Sequence, residues 1–461
     1  MNRWTERGAG SLRRPPEPSP ALPFLPPTFT GTTLANGLKV RAARWGKQPL
    51  IAGAMLFPSA GSAADVAGRE GTAEITADAF LGGTRTKNAT QLAEAMDDLA
   101  ASLDVVAGFD SAVARLVALE RDLEEALSLF AELLTEPTFP DDEVEKSRRR
   151  HVDLLREHRS EPDFLARERL LDRLYPGHPY GRLTATEAGL ASLTRADVLS
   201  HYTTRFSLAG ATLVLVGACA PERLLQAAER VFGSLEPGTI TTNGAVPPLP
   251  KIDGFSVHLV HRPGSVQTNL LFARPALRRN DQRYLTALVA NQSLGGGASA
   301  RLFQVLREER GLTYGAYSNL TPRLKGGHFG ASIDCRTEVT REALTGLLDL
   351  IRQFAAEGPS EEEHSRAQKY LVGSFALARE TAGTIAQDET NRILHGLPED
   401  EWQTWRTRLS AVTRDQSRDA AKELFDPSVG VLAAVGDEKA IRAELEKFGE
   451  TTLWDADGPR R

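Results

Sequence analysis

The chain has 461 residues, too many for one hydrophobic core, and this length predicts roughly two to four domains. Hydrophobic residues make up 41% and charged residues 25% of it, as in ordinary soluble globular proteins. The net charge of −6 argues against a nucleic-acid partner, which would favour a basic surface. No apolar run reaches the ~18 residues that a membrane-spanning helix needs, so we expect no membrane span.

The N-terminal segment and the cysteines bear on the compartment. Residues 1–30 are rich in proline, arginine and serine and lack the apolar stretch of a secretory signal. We interpret this segment as a disordered or surface-bound arm and expect a cytoplasmic protein. Cys219 and Cys335 could form at most one bridge, and we favour two buried thiols in a reducing compartment.

Strand and helix patterns alternate through the first half of the chain. A predicted strand pair opens at residues 36–40 and continues through residues 50–57. A helical stretch over residues 71–84 follows, and several helical patterns lie beyond it. Residues 211–217 form an apolar, β-branched run that predicts a buried strand, and a helical pattern over residues 221–235 comes next.

The second half repeats these patterns. Gly436, which ends a second apolar run and predicted strand, lies 219 residues after Gly217, and Thr413 lies 219 residues after Thr194. Four such agreements occur in the same order, at offsets of 213 to 219 residues. The sequence therefore predicts an α+β fold made of two homologous α/β-sandwich halves.

A segment rich in proline and glycine separates the halves and reads as an extended linker. The predicted organisation has four parts: a disordered or surface arm at 1–30, an N-terminal α+β half at 31–235, an interdomain linker at 236–253 and a C-terminal α+β half at 254–455.

Three blocks resemble one protein family. They are the helical frame at residues 71–84, the segment at residues 174–181 that reads LYPGHPYG, and the segment at residues 299–314 that reads SARLFQVLREERGLTY. Over roughly residues 30 to 455 the chain resembles the pitrilysin/insulinase zinc peptidases, also called inverzincins. In size it is most similar to the subfamily of mitochondrial processing peptidase.

The resemblance implies a particular division of chemistry between the halves. In this family the N-terminal half carries H-x-x-E-H, whose two His bind zinc and whose Glu activates water, and a distant Glu completes the site. The C-terminal half contributes an Arg and a Tyr, seven residues apart, that stabilise the oxyanion.

At the three positions of that helix motif this chain has other residues. Glu74 stands at the first His position, Ala77 at the Glu position and Asp78 at the second His position. Two carboxylates at i and i+4 suit Mg²⁺ or Ca²⁺ better than zinc and make a weak cage for either. Ala77 cannot accept a proton. We therefore expect neither a cofactor nor a functional metal in this chain.

The third zinc ligand of the family comes from a later helix. The best match here is Ser147, and Glu143 and Glu145 are the alternatives if the register slips.

The Arg and Tyr positions, in contrast, carry the family residues. Arg307 and Tyr314 stand seven residues apart. Taken without the family frame, Arg307 would be one of several surface charges and Tyr314 a packing residue. Within the frame, the resemblance implies that they act on the substrate carbonyl.

This combination predicts the non-catalytic subunit of a heterodimeric zinc metallopeptidase. A homologous H-x-x-E-H-bearing partner would hold the zinc, and this chain would bind peptide substrate and supply Arg307 and Tyr314. Alone, the chain could pair with a second copy of itself.

Two other interpretations remain open from the sequence. One is a catalytically inert structural or peptide-binding protein of the same fold, like the core proteins of the bc1 complex. The other is a lone hydrolase with unusual metal ligation.

Overall fold

The computed structural model describes residues 24–238, 246–456 and 458–459. Residues 1–23, and with them most of the predicted arm, lie outside the described residues, as do seven residues of the predicted linker. No helix in the described part of the chain is long and apolar enough to cross a membrane.

Within the described residues, the first half contains one sheet and eight α-helices. Its strands are β1 (Thr30–Thr33), β2 (Lys39–Arg44), β3 (Leu50–Phe57), β4 (Ser102–Ala107), β5 (Ala112–Leu119) and β6 (Thr212–Gly217). Its helices are α1 (Thr72–Ala79), α2 (Ala89–Asp98), α3 (Leu123–Thr135), α4 (Asp141–Ser160), α5 (Pro162–Leu174), α6 (Glu187–Ser192), α7 (Arg195–Arg205) and α8 (Pro221–Phe232).

The second half follows the same plan. Its strands are β7 (Phe255–His261), β8 (Gln267–Ala276), β9 (Thr313–Thr321), β10 (Gly327–Arg336), β11 (Gly430–Gly436), β12 (Thr451–Asp455) and β13 (Gly458–Pro459). Its helices are α9 (Tyr284–Gly295), α10 (Arg301–Phe303), α11 (Thr340–Glu357), α12 (Glu361–Leu377), α13 (Ala382–Leu394), α14 (Glu401–Ser410), α15 (Arg414–Leu424) and α16 (Glu438–Leu445). A π-helical turn over Gln304–Glu309 continues α10.

The two sheets have equivalent strand orders. The first runs β1-β2-β6-β3-β5-β4 and the second β13-β12-β7-β11-β8-β10-β9. In each sheet a parallel pair, β2 with β6 or β7 with β11, is followed only by antiparallel pairs. The second sheet has a further parallel pair, β12 with β7. The predicted α+β fold with two homologous halves is thus confirmed. The sheets differ at one edge, where the first ends in β1 and the second in β12 and β13.

Local sequence explains the central strands and the matching helix starts. Every residue of β6 and of β11 is buried, as expected of apolar strands covered on both faces. Thr194 and Thr413 each form a capping box, with Asp197 and Gln416 respectively, at the start of α7 and α15. The box satisfies backbone donors at the first turn and fixes where the helix begins.

Each half lends one helix to the sheet of the other. Helix α5, from the first half, packs on β11 and β8, and helix α13, from the second half, packs on β3 and β6. Leu170 and Leu171 of α5 join a core with Val431 and Val435 of β11. The halves therefore share two cores in addition to the core that each builds from its own helices.

Residues at the ends of the predicted parts contribute to this packing. Phe24, from the predicted arm, lies edge-to-face against Trp45 at 5.5 Å and Phe375 at 5.8 Å, and so touches both halves.

Cys219 and Cys335 are free thiols, the first half-buried and the second buried.

Candidate functional site

Helix α1 carries the altered motif and begins at an unusual junction. Gly71, immediately before it, has a φ of 92°, which a glycine adopts without steric cost. The carboxylate of Asp65 accepts the backbone N–H groups of Gly71 at 2.8 Å and Ala73 at 3.0 Å. These bonds satisfy donors that the first turn of a helix leaves free, so Asp65 fixes the start of the motif helix.

The first motif position is Glu74, a half-buried carboxyl group. Burial raises the pKa of Glu74 above its ordinary value, and its own backbone N–H and the charge of His151 oppose that rise. A carboxyl held towards its neutral form is a poor ligand for a cation. Ala77, one turn further, is buried and presents only a methyl group.

The structure places Asp78 against helix α4, where its carboxylate is already engaged. The hydroxyl of Ser147 and the guanidinium of Arg150 both donate to Oδ2 of Asp78. Nδ1 of His151 lies 3.7 Å from the same oxygen. Ser147 is buried and Arg150 is more than half exposed, so the cluster joins the core to the surface.

Glu143 and Glu145, the two alternatives for the third zinc ligand, form ion pairs within α4. Glu143 pairs with Lys146 at 2.5 Å, and Glu145 pairs with Arg148 at 2.7 Å and Arg149 at 2.5 Å. Among the residues predicted for that position, Ser147 is the one that hydrogen-bonds to a motif side chain.

The side chains at the altered motif do not fit a zinc ion. Within the described residues, no three His, Cys, Asp or Glu side chains converge as a ligand group. The Asp78 oxygen that faces α4 accepts from a hydroxyl and a guanidinium, and a cation there would face the positive charge of Arg150. The hydroxyl of Ser147 is no substitute for a carboxylate ligand. The described side chains here therefore do not make a complete zinc site, and Ala77 supplies no general base.

Arg307 lies in the second half, within the π-helical turn after α10. Its guanidinium stacks over the ring of Phe303 at 4.7 Å and lies 3.3 Å from Glu308. The π turn is closed by a bond from the N–H of Arg310 to the carbonyl of Val305, one residue wider than an α-helical bond. Such turns are rare and often occur at functional sites.

Tyr314 lies on β9, the edge strand of the second sheet, and is 86% exposed. Tyr317, on the same strand, is 45% exposed, and its ring lies 5.8 Å from that of Phe303. Phe303 therefore joins Tyr317 to Arg307, and Tyr314 lies three residues before Tyr317 on the same edge strand. We call Phe303, Arg307, Tyr314 and Tyr317 the Arg–Tyr surface.

The structure does not join the Arg–Tyr surface to the altered motif. In the described part of the chain, no hydrogen bond, ion pair or ring contact connects Arg307 or Tyr314 with α1 or α4. Beside the surface, a cleft of about 420 Å³ separates α5 from β9 and β10. Its lining includes Asp163, Arg167, Tyr317, Asn319, Arg323 and His328.

The sequence did not single out several residues that contribute to the altered motif and to the Arg–Tyr surface. Arg150 and His151 belong to a charged run that was visible, but the run does not reveal which member reaches α1. Asp65 lies six residues before Gly71, outside any capping motif. Tyr317 could have been noticed as a second tyrosine three residues after Tyr314.

The sequence matches two family models. The insulinase (peptidase family M16) model matches residues 50–187, and the peptidase M16 inactive domain model matches residues 192–371. An uncharacterized zinc protease of Streptomyces coelicolor is 24% identical over 90% of this chain and 92% of its own length. An uncharacterized zinc protease of Mycobacterium tuberculosis is 25% identical over 93% of this chain and 99% of its own length.

Solved structures agree with these matches. A peptidase M16 inactive domain from Pseudomonas fluorescens is 26% identical, with a TM-score of 0.83, over 89% of this chain and 98% of that one. A protease from Helicobacter pylori shares the fold, with a TM-score of 0.80 at 18% identity, over 89% of this chain and 99% of that one. Together the two models cover most of the sequence and both of its halves. This chain belongs to the insulinase (M16) peptidase family.

Proposed function

We propose that this chain is the non-catalytic subunit of a two-subunit zinc peptidase and supplies Arg307 and Tyr314 to an active site on its partner. The observation that carries the proposal is the exposure of Tyr314, 86%, on an edge strand, with no partner for its hydroxyl among the described residues. A packing tyrosine would be expected to bury most of its ring.

The altered motif supports the same division of labour. Ala77 supplies no base, and Asp78 is engaged by Ser147 and Arg150. The partner would therefore hold the zinc and its water. The roles of this chain would be to bind the peptide and to donate the guanidinium of Arg307 and the hydroxyl of Tyr314 to the scissile carbonyl oxygen.

The substrate would be an extended peptide. It would lie along a sheet edge of the partner's active half by strand addition, in which backbone hydrogen bonds provide affinity with little sequence preference. The Arg–Tyr surface would close the site from the opposite side.

The test begins with purification of this chain from its native cell, together with whatever binds it. The partner that we expect to copurify is a homologous chain that contains H-x-x-E-H. Peptidase activity should be measured on the complex and on each chain alone. We expect activity only in the complex.

The decisive variant is Tyr314→Phe, which removes one oxygen. Loss of an oxyanion donor typically lowers kcat by about 10²–10³-fold, and we expect a loss of that order in the complex. Tyr370→Phe is a matched control, because Tyr370 is also exposed, at 59%, and lies on another element, α12.

The alternative is an inert structural or peptide-binding protein of the same fold. An active complex whose kcat is unchanged by Tyr314→Phe would exclude the proposed role of this residue. Failure to recover an H-x-x-E-H partner, with peptide binding but no hydrolysis, would favour the alternative. Light scattering of the isolated chain would show whether it forms a dimer by itself.

A further inference from the structure

An extra residue interrupts β9 at Tyr314. Along most of the β9–β10 pair the residues face each other one to one, through the pairs Ser332–Tyr317 and Ile333–Ala316. The next pair is Cys335–Thr313, so two residues of β9, Tyr314 and Gly315, stand opposite the single residue Asp334 of β10. This is a β-bulge, of the kind that changes the direction of a side chain near functional sites.

The bulge decides which face of the sheet Tyr314 occupies. Residues directly opposite in an antiparallel pair share a face, and a slip by one residue moves a side chain to the other face. Ile333 and Cys335 are buried on the core side, and Asp334 is exposed. Without the extra residue, Tyr314 would pair with Cys335 and face the core. With it, Tyr314 shares the exposed face with Asp334.

One side chain holds the bulge closed. The hydroxyl of Thr313 accepts the backbone N–H of Gly315 at 2.9 Å and lies within donating distance of two carbonyl oxygens, 2.6 Å for Asp334 and 2.8 Å for Gly315. It therefore bonds across the bulge to the facing strand and to the bulged residue itself. A side chain of the same shape without the hydroxyl would make none of these bonds.

We propose that Thr313 is a positioning residue for Tyr314: its hydroxyl locks the bulge that turns the Tyr314 ring out of the core register and onto the Arg–Tyr surface. The proposal rests on the function proposed above, because Tyr314 must act on substrate for its direction to matter. Thr313 does not itself touch the substrate. Its effect passes through Tyr314.

The test compares two variants at this position in the complex purified from the native cell, with a quenched fluorescent peptide that the complex cleaves. Thr313→Val keeps the branched shape and loses the hydroxyl, and Thr313→Ser keeps the hydroxyl. We expect Thr313→Val to lower kcat by roughly 10- to 100-fold with little change in KM, because small misplacements of a catalytic group have effects of this size. Thr313→Ser should restore most of the activity.

A second comparison separates positioning from general damage to the strand. In a Tyr314→Phe background, Thr313→Val should cause no further loss, because the group it positions is already gone. A purely structural role would lower kcat in both backgrounds. Thr321→Val is the matched control, since Thr321 ends the same strand and its hydroxyl makes no hydrogen bond within the described residues.

A third measurement needs neither partner nor substrate. The chain has seven tyrosines, and fluorotyrosine labelling should give a resonance for each, with that of Tyr314 identified by its absence in Tyr314→Phe. A soluble gadolinium chelate should relax the Tyr314 resonance strongly in the unaltered chain and in Thr313→Ser. It should relax this resonance less in Thr313→Val.

The outcomes distinguish the two proposals. If Tyr314→Phe leaves kcat unchanged, the proposed function fails, and the positioning role fails with it. If Tyr314→Phe lowers kcat but Thr313→Val does not, the positioning role alone is overturned. An unchanged Tyr314 resonance in Thr313→Val, or equal losses from Thr313→Val in both backgrounds, would also overturn it.

Discussion

Two opposing effects act on the pKa of the Asp65 carboxyl group. The backbone N–H groups of Gly71 and Ala73 favour its ionised form, and burial together with the charge of Glu74 favours its neutral form. Burial is the larger influence, and the pKa of Asp65 rises to about 7. His201 lies 4.0 Å away, but burial lowers its pKa to about 4, so it offers no positive charge near neutral pH.

The raised pKa of Asp65 makes stability depend on pH. Between its ordinary value of 3.8 and about 7, the folded chain holds a proton that the unfolded chain releases. The free energy of unfolding should therefore fall as pH rises through this range, by an upper limit of about 4 kcal/mol from this one group. Asp65→Asn should remove that dependence and keep one acceptor for the helix start.

The measurement is urea unfolding of both chains at several pH values from 4.5 to 8. The free energy of unfolding of Asp65→Asn minus that of the unaltered chain should increase with pH. Since every other titrating group is common to both, a difference that stays constant over this range would contradict the assignment.

The interactions between α1 and α4 contribute unequally to the free energy of unfolding. The side chain of Arg150 is 56% exposed, so its ion pair with Asp78 contributes only about 0–1 kcal/mol. Ser147 is 1% exposed, and a hydrogen bond from a buried hydroxyl to a charged group contributes more, about 1.5–3 kcal/mol. The buried hydroxyl should therefore dominate this contact.

Two substitutions test that ranking. Asp78→Ala leaves the buried hydroxyl of Ser147 without its acceptor, and we expect it to lower the free energy of unfolding by about 1–3 kcal/mol. Arg150→Met keeps most of the side-chain length and should cost less than about 1 kcal/mol. Both are measured by urea unfolding, and a larger loss from Arg150→Met than from Asp78→Ala would reverse the ranking.

Sequence patterns predicted the strand and helix plan of each half but not the irregularities within it. The apolar runs of β6 and β11 and the matched pair Thr194 and Thr413 could be recognised because they repeat. That the two threonines cap helices appeared only in the structure. The π turn at Arg307 and the bulge at Tyr314 each depend on one extra residue, which hydrophobic periodicity does not register. Spacing alone therefore paired the two residues in the sequence, but it showed neither the π turn that carries Arg307 nor the bulge that exposes Tyr314.

At the scale of the molecule, the joint between the halves combines buried apolar surface with a few polar bonds. Arg169 of α5 stacks on Trp454 of the second half at 3.6 Å. The hydroxyl of Tyr175 lies 3.1 Å from Nδ1 of His328, and the carboxylate of Asp110 accepts the N–H of Leu324 at 3.2 Å. These contacts, together with the exchanged helices, tie the two halves into one unit.

Because each sheet is completed by a helix of the other half, neither half should fold alone. Fragments 1–240 and 241–461, cut within the linker, should each lack a cooperative urea transition and the near-ultraviolet circular dichroism of fixed aromatic rings. Mixed or expressed together, they should recover both signals. A cooperative transition in either isolated fragment would contradict this expectation.

The repeat predicted two related halves, but it could not predict the exchange of α5 and α13. An amphipathic helix needs an apolar surface, and either sheet would satisfy the pattern of Leu170 and Leu171 or of Ile385 and Ala386. The choice depends on the length and direction of the connections, which are properties of the folded chain.

The exchanged helices also determine how the protein can move. To swing the halves apart like a hinge, α5 would have to leave β8 and β11 while α13 leaves β3 and β6, exposing two apolar faces to water at once. The chain should therefore behave as a rigid block on the timescale of substrate entry. Under the proposed function, the gate that admits a peptide would then open between this chain and its partner, and the rate of their association would govern its speed.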